Sequence, residues 1–129
     1  MDEIVVFPIH PRTKKMINYH GLDDFIGKGN IKVIDPVGYL DMLKLEKNAK
    51  AILTDSGGVQ KEAFWLKVPC ITLRDETEWI ETVNLGWNRL VSSDVEKILS
   101  AVKDLTQGNN IDFSEDFSAN RMCEVILKL

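Results

Sequence analysis

Thr54-Asp55-Ser56-Gly57-Gly58-Val59-Gln60-Lys61-Glu62-Ala63 follows a short apolar run, Ala51-Ile52-Leu53, and leads into a helix-like pattern that continues to Lys67. The stretch reads as strand, tight turn and helix start. Its turn carries a small hydroxyl and two glycines where the first N–H groups of a helix lack internal partners. Those donors and the positive end of the helix dipole favour an anion, and glycine lets a phosphate come close to the backbone. Glu62 follows about one turn later, placed to accept hydrogen bonds from a sugar diol. Phosphate plus diol points to a nucleotide. The same turn also fits a purely structural role, with Asp55 or Ser56 as N-cap and the glycines relieving strain. It matches neither GxGxxG nor GxxxxGK[ST].

The elements on either side repeat the arrangement. Ile4 to Pro8 is an apolar strand stopped by proline, and Thr13 to His20 is helical. A short turn over Leu22 to Ile26 and a loop, Gly27-Lys28-Gly29-Asn30, lead to a second strand, Ile31 to Ile34. Pro36 is expected at the first turn of a helix, with Tyr39, Leu40, Leu43 and Leu45 covering one broad face. Ala51 to Leu53 is the third strand, Gly58 to Lys67 a helix, and Pro69 to Leu73 the fourth strand. Glu78 to Leu85 is expected to be helical, with Thr77 as N-cap and Gly86 as its end. Asn88 to Val91 forms a fifth strand. Ser93 or Asp94 caps a helix through Leu105, a polar loop covers Thr106 to Asp112, and Asp116 to Leu127 is a last helix.

Strands alternate with helices, and the strands are continuously apolar. That combination predicts an α/β fold: a Rossmann-like parallel sheet of about five strands with helices on both faces. Such sheets bind ligands at the carboxyl ends of their strands. His10 and Arg12 follow strand one, Asp35 and Pro36 strand two, Ser56 to Gly58 strand three, and Arg74 to Glu78 strand four.

The 129 residues suit one compact domain, residues 1–129. A net charge of −4 argues against nucleic acid as main partner. No window approaches the ~18 uninterrupted apolar residues of a membrane span. The acidic Met1-Asp2-Glu3 start does not resemble a signal peptide, so a cytoplasmic setting is expected. Cys70 and Cys123 lie in apolar contexts and read as buried free thiols.

Four long motifs, in order, carry a family resemblance. They are Phe7-Pro8-Ile9-His10-Pro11-Arg12-Thr13, Ile34-Asp35-Pro36-Val37-Gly38-Tyr39-Leu40, Thr54 to Ala63, and Leu73-Arg74-Asp75-Glu76-Thr77-Glu78-Trp79-Ile80-Glu81. The chain resembles the non-hydrolysing UDP-N-acetylglucosamine 2-epimerases from about Ile4 to Val91. The tail from Ser92 has no diagnostic motif. The resemblance implies a glycosyltransferase-B type protein with two Rossmann-like domains and an active site in the cleft between them. It implies interconversion of UDP-N-acetylglucosamine and UDP-N-acetylmannosamine, by anti elimination of UDP to a glycal and re-addition after proton transfer at C2. Carried over by position, Ser56, Gly57 and Gly58 would hold the phosphates and Glu62 the ribose hydroxyls. Val37 and Met42 fall at uracil-contacting positions, and Trp79 at another nucleotide-side position.

The departures are informative. The family's acid/base carboxylates and basic phosphate contacts from the N-terminal domain are not in this chain, so no residue here is assigned a catalytic role. His10 matches a later proline-histidine motif, not the catalytic histidine. Met42 stands where an aromatic is common, and Trp79 where bacterial members often carry arginine. The expectation is a partial C-terminal, UDP-binding domain that lacks the family's first strand and is inactive alone. A UDP-sugar-binding module or half of a related glycosyltransferase are the rival readings. The first strand is central in the usual order, and open edges recruit other chains. Self-association, a rearranged sheet or a missing N-terminal domain is therefore expected.

Individual side chains carry alternatives. His10 either lines the cleft or fixes local backbone. Arg12 either meets phosphate or is a surface cation. Arg74, among Asp75, Glu76, Glu78 and Glu81, is either a ligand contact or part of a carboxylate network that shapes its loop. The arginine already supplies the charge a metal would bring, so no metal is expected, and no cofactor. Trp65 reads as core, and Lys14 and Lys15 as solvated charge.

Overall fold

The computed structural model describes residues 3–108 and 124–129. It has two compact units, 1–39 and 40–129.

In the first unit, strand β1 (Val5–Pro8) pairs in parallel with β2 (Ile31–Ile34), Val5 opposite Ile31 and Pro8 opposite Ile34. Helix α1 (Pro11–Tyr19) lies between them in the chain, followed by a 3-10 turn, Asp23–Phe25. The helix starts two residues before the expected Thr13. Pro11 takes its first turn, and His10 is the N-cap, its Nδ1 accepting the Arg12 N–H at 3.2 Å.

The second unit starts within helix α2 (Tyr39–Lys47) and continues β3 (Ile52–Thr54), α3 (Gly57–Leu66), β4 (Cys70–Thr72), α4 (Ile80–Asn84), β5 (Asn88–Leu90) and α5 (Val95–Lys103). Its sheet is parallel throughout, in the order β3-β4-β5. Cys70 and Ile71 of β4 point to opposite faces, as neighbours in a strand must. Cys70 joins Ile52, Ala63 and Val68 under α3, and Ile71 joins Val91 and Ala101 under α5. Helices thus cover both faces of this sheet.

The five strands form two sheets rather than the single sheet expected. Each pairing joins consecutive strands, β1 to β2, β3 to β4 and β4 to β5, while the α2 connection from β2 to β3 forms no strand pair. β3 is consequently an edge strand. Ile52 and Thr54 spend their backbone groups on β4, with Ile52 N–H donating to Pro69 O and Thr54 O accepting from Leu73 N–H. Alternation along a parallel ladder turns the Leu53 peptide groups to the other side.

Three local expectations are corrected. Pro36 does not open α2, which starts at Tyr39, after Gly38, a poor helix former. The buried face of α2 is not the one Tyr39, Leu40 and Leu45 would form; those three are exposed, and Leu43 and Glu46 are buried. Thr77 does not cap α4. Its hydroxyl is held by Gln60 Oε1 at 2.6 Å, and Trp79 occupies the cap position. Asp94 does cap α5, accepting the Lys97 N–H at 3.1 Å. Part of the expected polar loop, Cys123 and most of the last helix lie outside the described residues. Among those residues, no helix is long and apolar enough to cross a membrane.

Candidate nucleotide site at the start of helix α3

The turn between β3 and α3 is fixed by its own hydroxyls. Thr54 Oγ1 accepts the Ser56 N–H at 3.0 Å. Ser56 is the N-cap: its Oγ accepts the Val59 N–H at 3.4 Å, and its carbonyl takes the Gln60 N–H at 3.2 Å. The N–H groups of Gly57 and Gly58, the first two of the helix, find no acceptor among the described residues. Ser56 and Gly58 are exposed. Free donors at the positive end of a helix dipole favour an anion.

The loop after β4 closes over Gly57. Trp79 Nε1 donates to the Gly57 carbonyl at 2.8 Å. A Cβ at Gly57 would run into Glu78 Oε1 and crowd Trp79 Nε1. Gly58 differs, because a Cβ there would meet only Ser56 Oγ, at 3.8 Å. Arg74 Nη1 pairs with Glu78 Oε2 at 3.1 Å, so the arginine is held in its loop by a carboxylate. Lys61, on α3, pairs with Glu81 at 2.6 Å and lies 4.5 Å from the Trp79 ring centre. The hydrogen bond from Lys61 pulls the Glu81 carboxyl below its ordinary value.

Both loops rest on a buried polar network. Thr72 Oγ1 donates to Asn88 Oδ1 at 2.6 Å, and Asn88 Nδ2 donates to Gln60 Oε1 and Thr82 Oγ1, each at 3.1 Å. Gln60 Oε1 also accepts from Thr77, and Thr82 Oγ1 donates to the Trp79 carbonyl at 2.7 Å. β4, β5, α3 and the Trp79 loop are thereby tied at one point. Gln60 Nε2 has no acceptor among the described residues.

Farther along α3, Glu62 is half-buried and meets the carboxyl of Glu46. Glu46 is 2% exposed. Burial is the first cause that raises it to about 8; repulsion from Glu62 and a hydrogen bond with it act in the same direction.

Ser56, Gly57, Gly58, Arg74 and Trp79 therefore gather around one helix terminus, and Glu62 lies on the same helix. Met42 is half-buried on α2. His10, Arg12 and Val37 are exposed residues of the first unit.

The sequence profile described as UDP-N-acetylglucosamine 2-epimerase matches residues 1–127. The chain belongs to this epimerase family. It is 51% identical to a UDP-N-acetylglucosamine 2-epimerase homolog of Methanococcus maripaludis, across 99% of this chain and 37% of the relative. A UDP-2,3-diacetamido-2,3-dideoxy-D-glucuronate 2-epimerase of Pseudomonas aeruginosa is 48% identical, over 77% of this chain and 27% of that protein. The Methanocaldococcus jannaschii UDP-GlcNAc 2-epimerase, solved in complex with UDP-GlcNAc and UDP, superposes with a TM-score of 0.82 at 48% identity. That match covers 99% of this chain and 36% of the solved one. The chain thus spans about a third of the length of the relatives it matches over nearly all of its own.

Sequence reasoning passed over Glu46, Gln60, Thr72, Thr82 and Asn88 in this epimerase-family chain. Only the polar run Thr77-Glu78 and the isolated Thr72 and Asn88 inside apolar strands hinted at the network. Glu46 gave no signal, because a glutamate between lysines reads as solvent face.

Proposed function

We propose that the second unit is the UDP-gripping part of a UDP-N-acetylglucosamine 2-epimerase, in which Ser56, Gly57 and Gly58 hold the diphosphate and Glu62 the ribose diol. The observation that carries this reading is the pair of unengaged N–H donors on Gly57 and Gly58 at the start of α3. Fixed donors at a leaving diphosphate stabilise its developing charge with no reorganisation at the moment of reaction. Trp79 is the nearest aromatic neighbour of that cradle, and Val37 and Met42 are assigned to the uracil end. His10, Arg12 and Arg74 are assigned to the substrate cleft, Arg74 only once its pairing with Glu78 is exchanged for phosphate.

The reading makes the chain a partial C-terminal domain, residues 1–129. An N-terminal domain completes the cleft and supplies the acid/base groups for elimination and re-addition, while self-association covers the open sheet edge. By itself the chain is expected to bind UDP and to turn over no substrate. A cytoplasmic setting is consistent with the free, buried Cys70 thiol. The resemblance to an epimerase acting on a different UDP-sugar supports a second reading, a UDP-sugar site whose sugar is selected by residues outside this chain.

A calorimetric titration with UDP tests the cradle, with Gly58→Asp as its control. Gly58 has room for a side chain, and an acidic residue in the first turn favours the helix. Saturable binding by the unsubstituted chain, lost in a Gly58→Asp protein that stays folded, supports the reading. Equal binding by the two proteins refutes it.

A further inference from the structure

Glu46 is the most deeply buried acid among the described residues, and both of its carboxyl oxygens are shut away from solvent with no donor to meet them. What they meet is another carboxyl, that of Glu62 on the next helix. Two carboxylates in contact repel and cannot both be stripped of water without a proton between them. The Cys70 thiol faces the same place from β4 and offers no positive charge; burial pushes it up to about 11. Lys44 and Lys47, on the same helix as Glu46, are exposed.

We propose that Glu46 is a positioning residue: it keeps its proton and donates it to one oxygen of Glu62, so that the other oxygen stays aimed at the ribose cis-diol of the bound nucleotide. This rests on the assignment of Glu62 to the diol. Glu46 itself touches no ligand. A carboxylate free to rotate must be oriented at the moment of binding, and a fixed hydrogen bond removes that cost. Loss of the proton from Glu46 replaces the bond with repulsion, so diol recognition fails at alkaline pH although the diphosphate cradle is unchanged.

The test is calorimetric binding of UDP and of 2′,3′-dideoxy-UDP to the whole chain at pH 6.5 and pH 9. The two ligands share diphosphate and base, so their own titration cancels in the ratio of affinities. Unsubstituted protein should prefer UDP by about tenfold at pH 6.5, the worth of a well-made hydrogen bond to a charged group, and lose most of that preference at pH 9. Glu46→Gln, which donates an amide N–H and cannot ionise, should keep the preference at both values. Glu46→Leu should lose it at both. A carbon-13 titration of labelled glutamate carboxyls provides a ligand-free check, in which Glu46 should remain protonated at pH 6.5. A preference for UDP that neither pH nor Glu46→Leu alters overturns the role of Glu46 and leaves Glu62 at the diol. Equal binding of the two ligands at pH 6.5 removes Glu62 from the diol, and this proposal with it.

Discussion

The indole N–H of Trp79 donates to the carbonyl of Gly57 across 2.8 Å, joining the loop after β4 to the first residue of α3. The bond fixes the distance between the loop and the helix terminus that presents the free donors. Trp79→Phe keeps an aromatic side chain and removes the donor together with the indole's second ring. It should lower unfolding free energy by about 1 kcal/mol in a urea titration and weaken UDP binding. An unchanged urea midpoint would show that the bond is idle.

Gly57 is glycine because Glu78 and Trp79 occupy the space of its side chain. Gly57→Ala should therefore displace the Glu78 carboxylate and lower thermal stability. Since the obstacle is the end of a flexible side chain, Gly57→Ala combined with Glu78→Ala should recover most of the loss. Strict additivity of the two substitutions in a double-mutant cycle would contradict this account.

Asn88 is bonded to Thr72, Gln60 and Thr82 at once. Asn88→Leu removes all three bonds at once, leaving Thr72 without its acceptor and Gln60 Oε1 and Thr82 Oγ1 with only their bonds to Thr77 and the Trp79 carbonyl, so the cost should be on the order of 3 kcal/mol. Hydrogen exchange should report loosening at both the α3 and α4 ends of the network. A cost under ~1 kcal/mol would mean that the network is dispensable.

Glu46 makes stability depend on pH. Unfolded, its carboxyl titrates near 4.5; folded, at about 8. Between these values the folded chain holds a proton that the unfolded chain has shed, so raising the pH favours unfolding. The stabilising effect of Glu46→Gln, relative to the unsubstituted chain, should grow from about pH 4.5 to about pH 8 and then level off. Its slope is at most ~1.4 kcal/mol per pH unit. A difference that is flat across this window would place Glu46 in water.

Much of this was legible because periodicity reports burial. The largely apolar runs marked β1 to β4, the place of Asn88-Arg89-Leu90 after the Gly86 stop marked β5, and Ser56-Gly57-Gly58 gave the turn with its cap. Strand pairing was less legible: an apolar run shows that a strand is buried, not which edge it shares, and the chain forms two sheets. Boundaries moved where a local competitor won, as at Gly38, which delays α2, and at Thr77, whose hydroxyl is taken by Gln60. Glu46 and Gln60 were invisible in principle. A polar residue betrays its burial only through partners far away in sequence, and those partners are themselves polar.

The network behind both loops consists of threonine, asparagine, glutamine and backbone carbonyl groups, none of which changes charge in the physiological range. Its grip on Trp79 should therefore be indifferent to salt and acidity. Ionic conditions are left to act on the rim, through Arg74 with Glu78 and Lys61 with Glu81, and the back wall yields only to heat or to a change in side-chain shape.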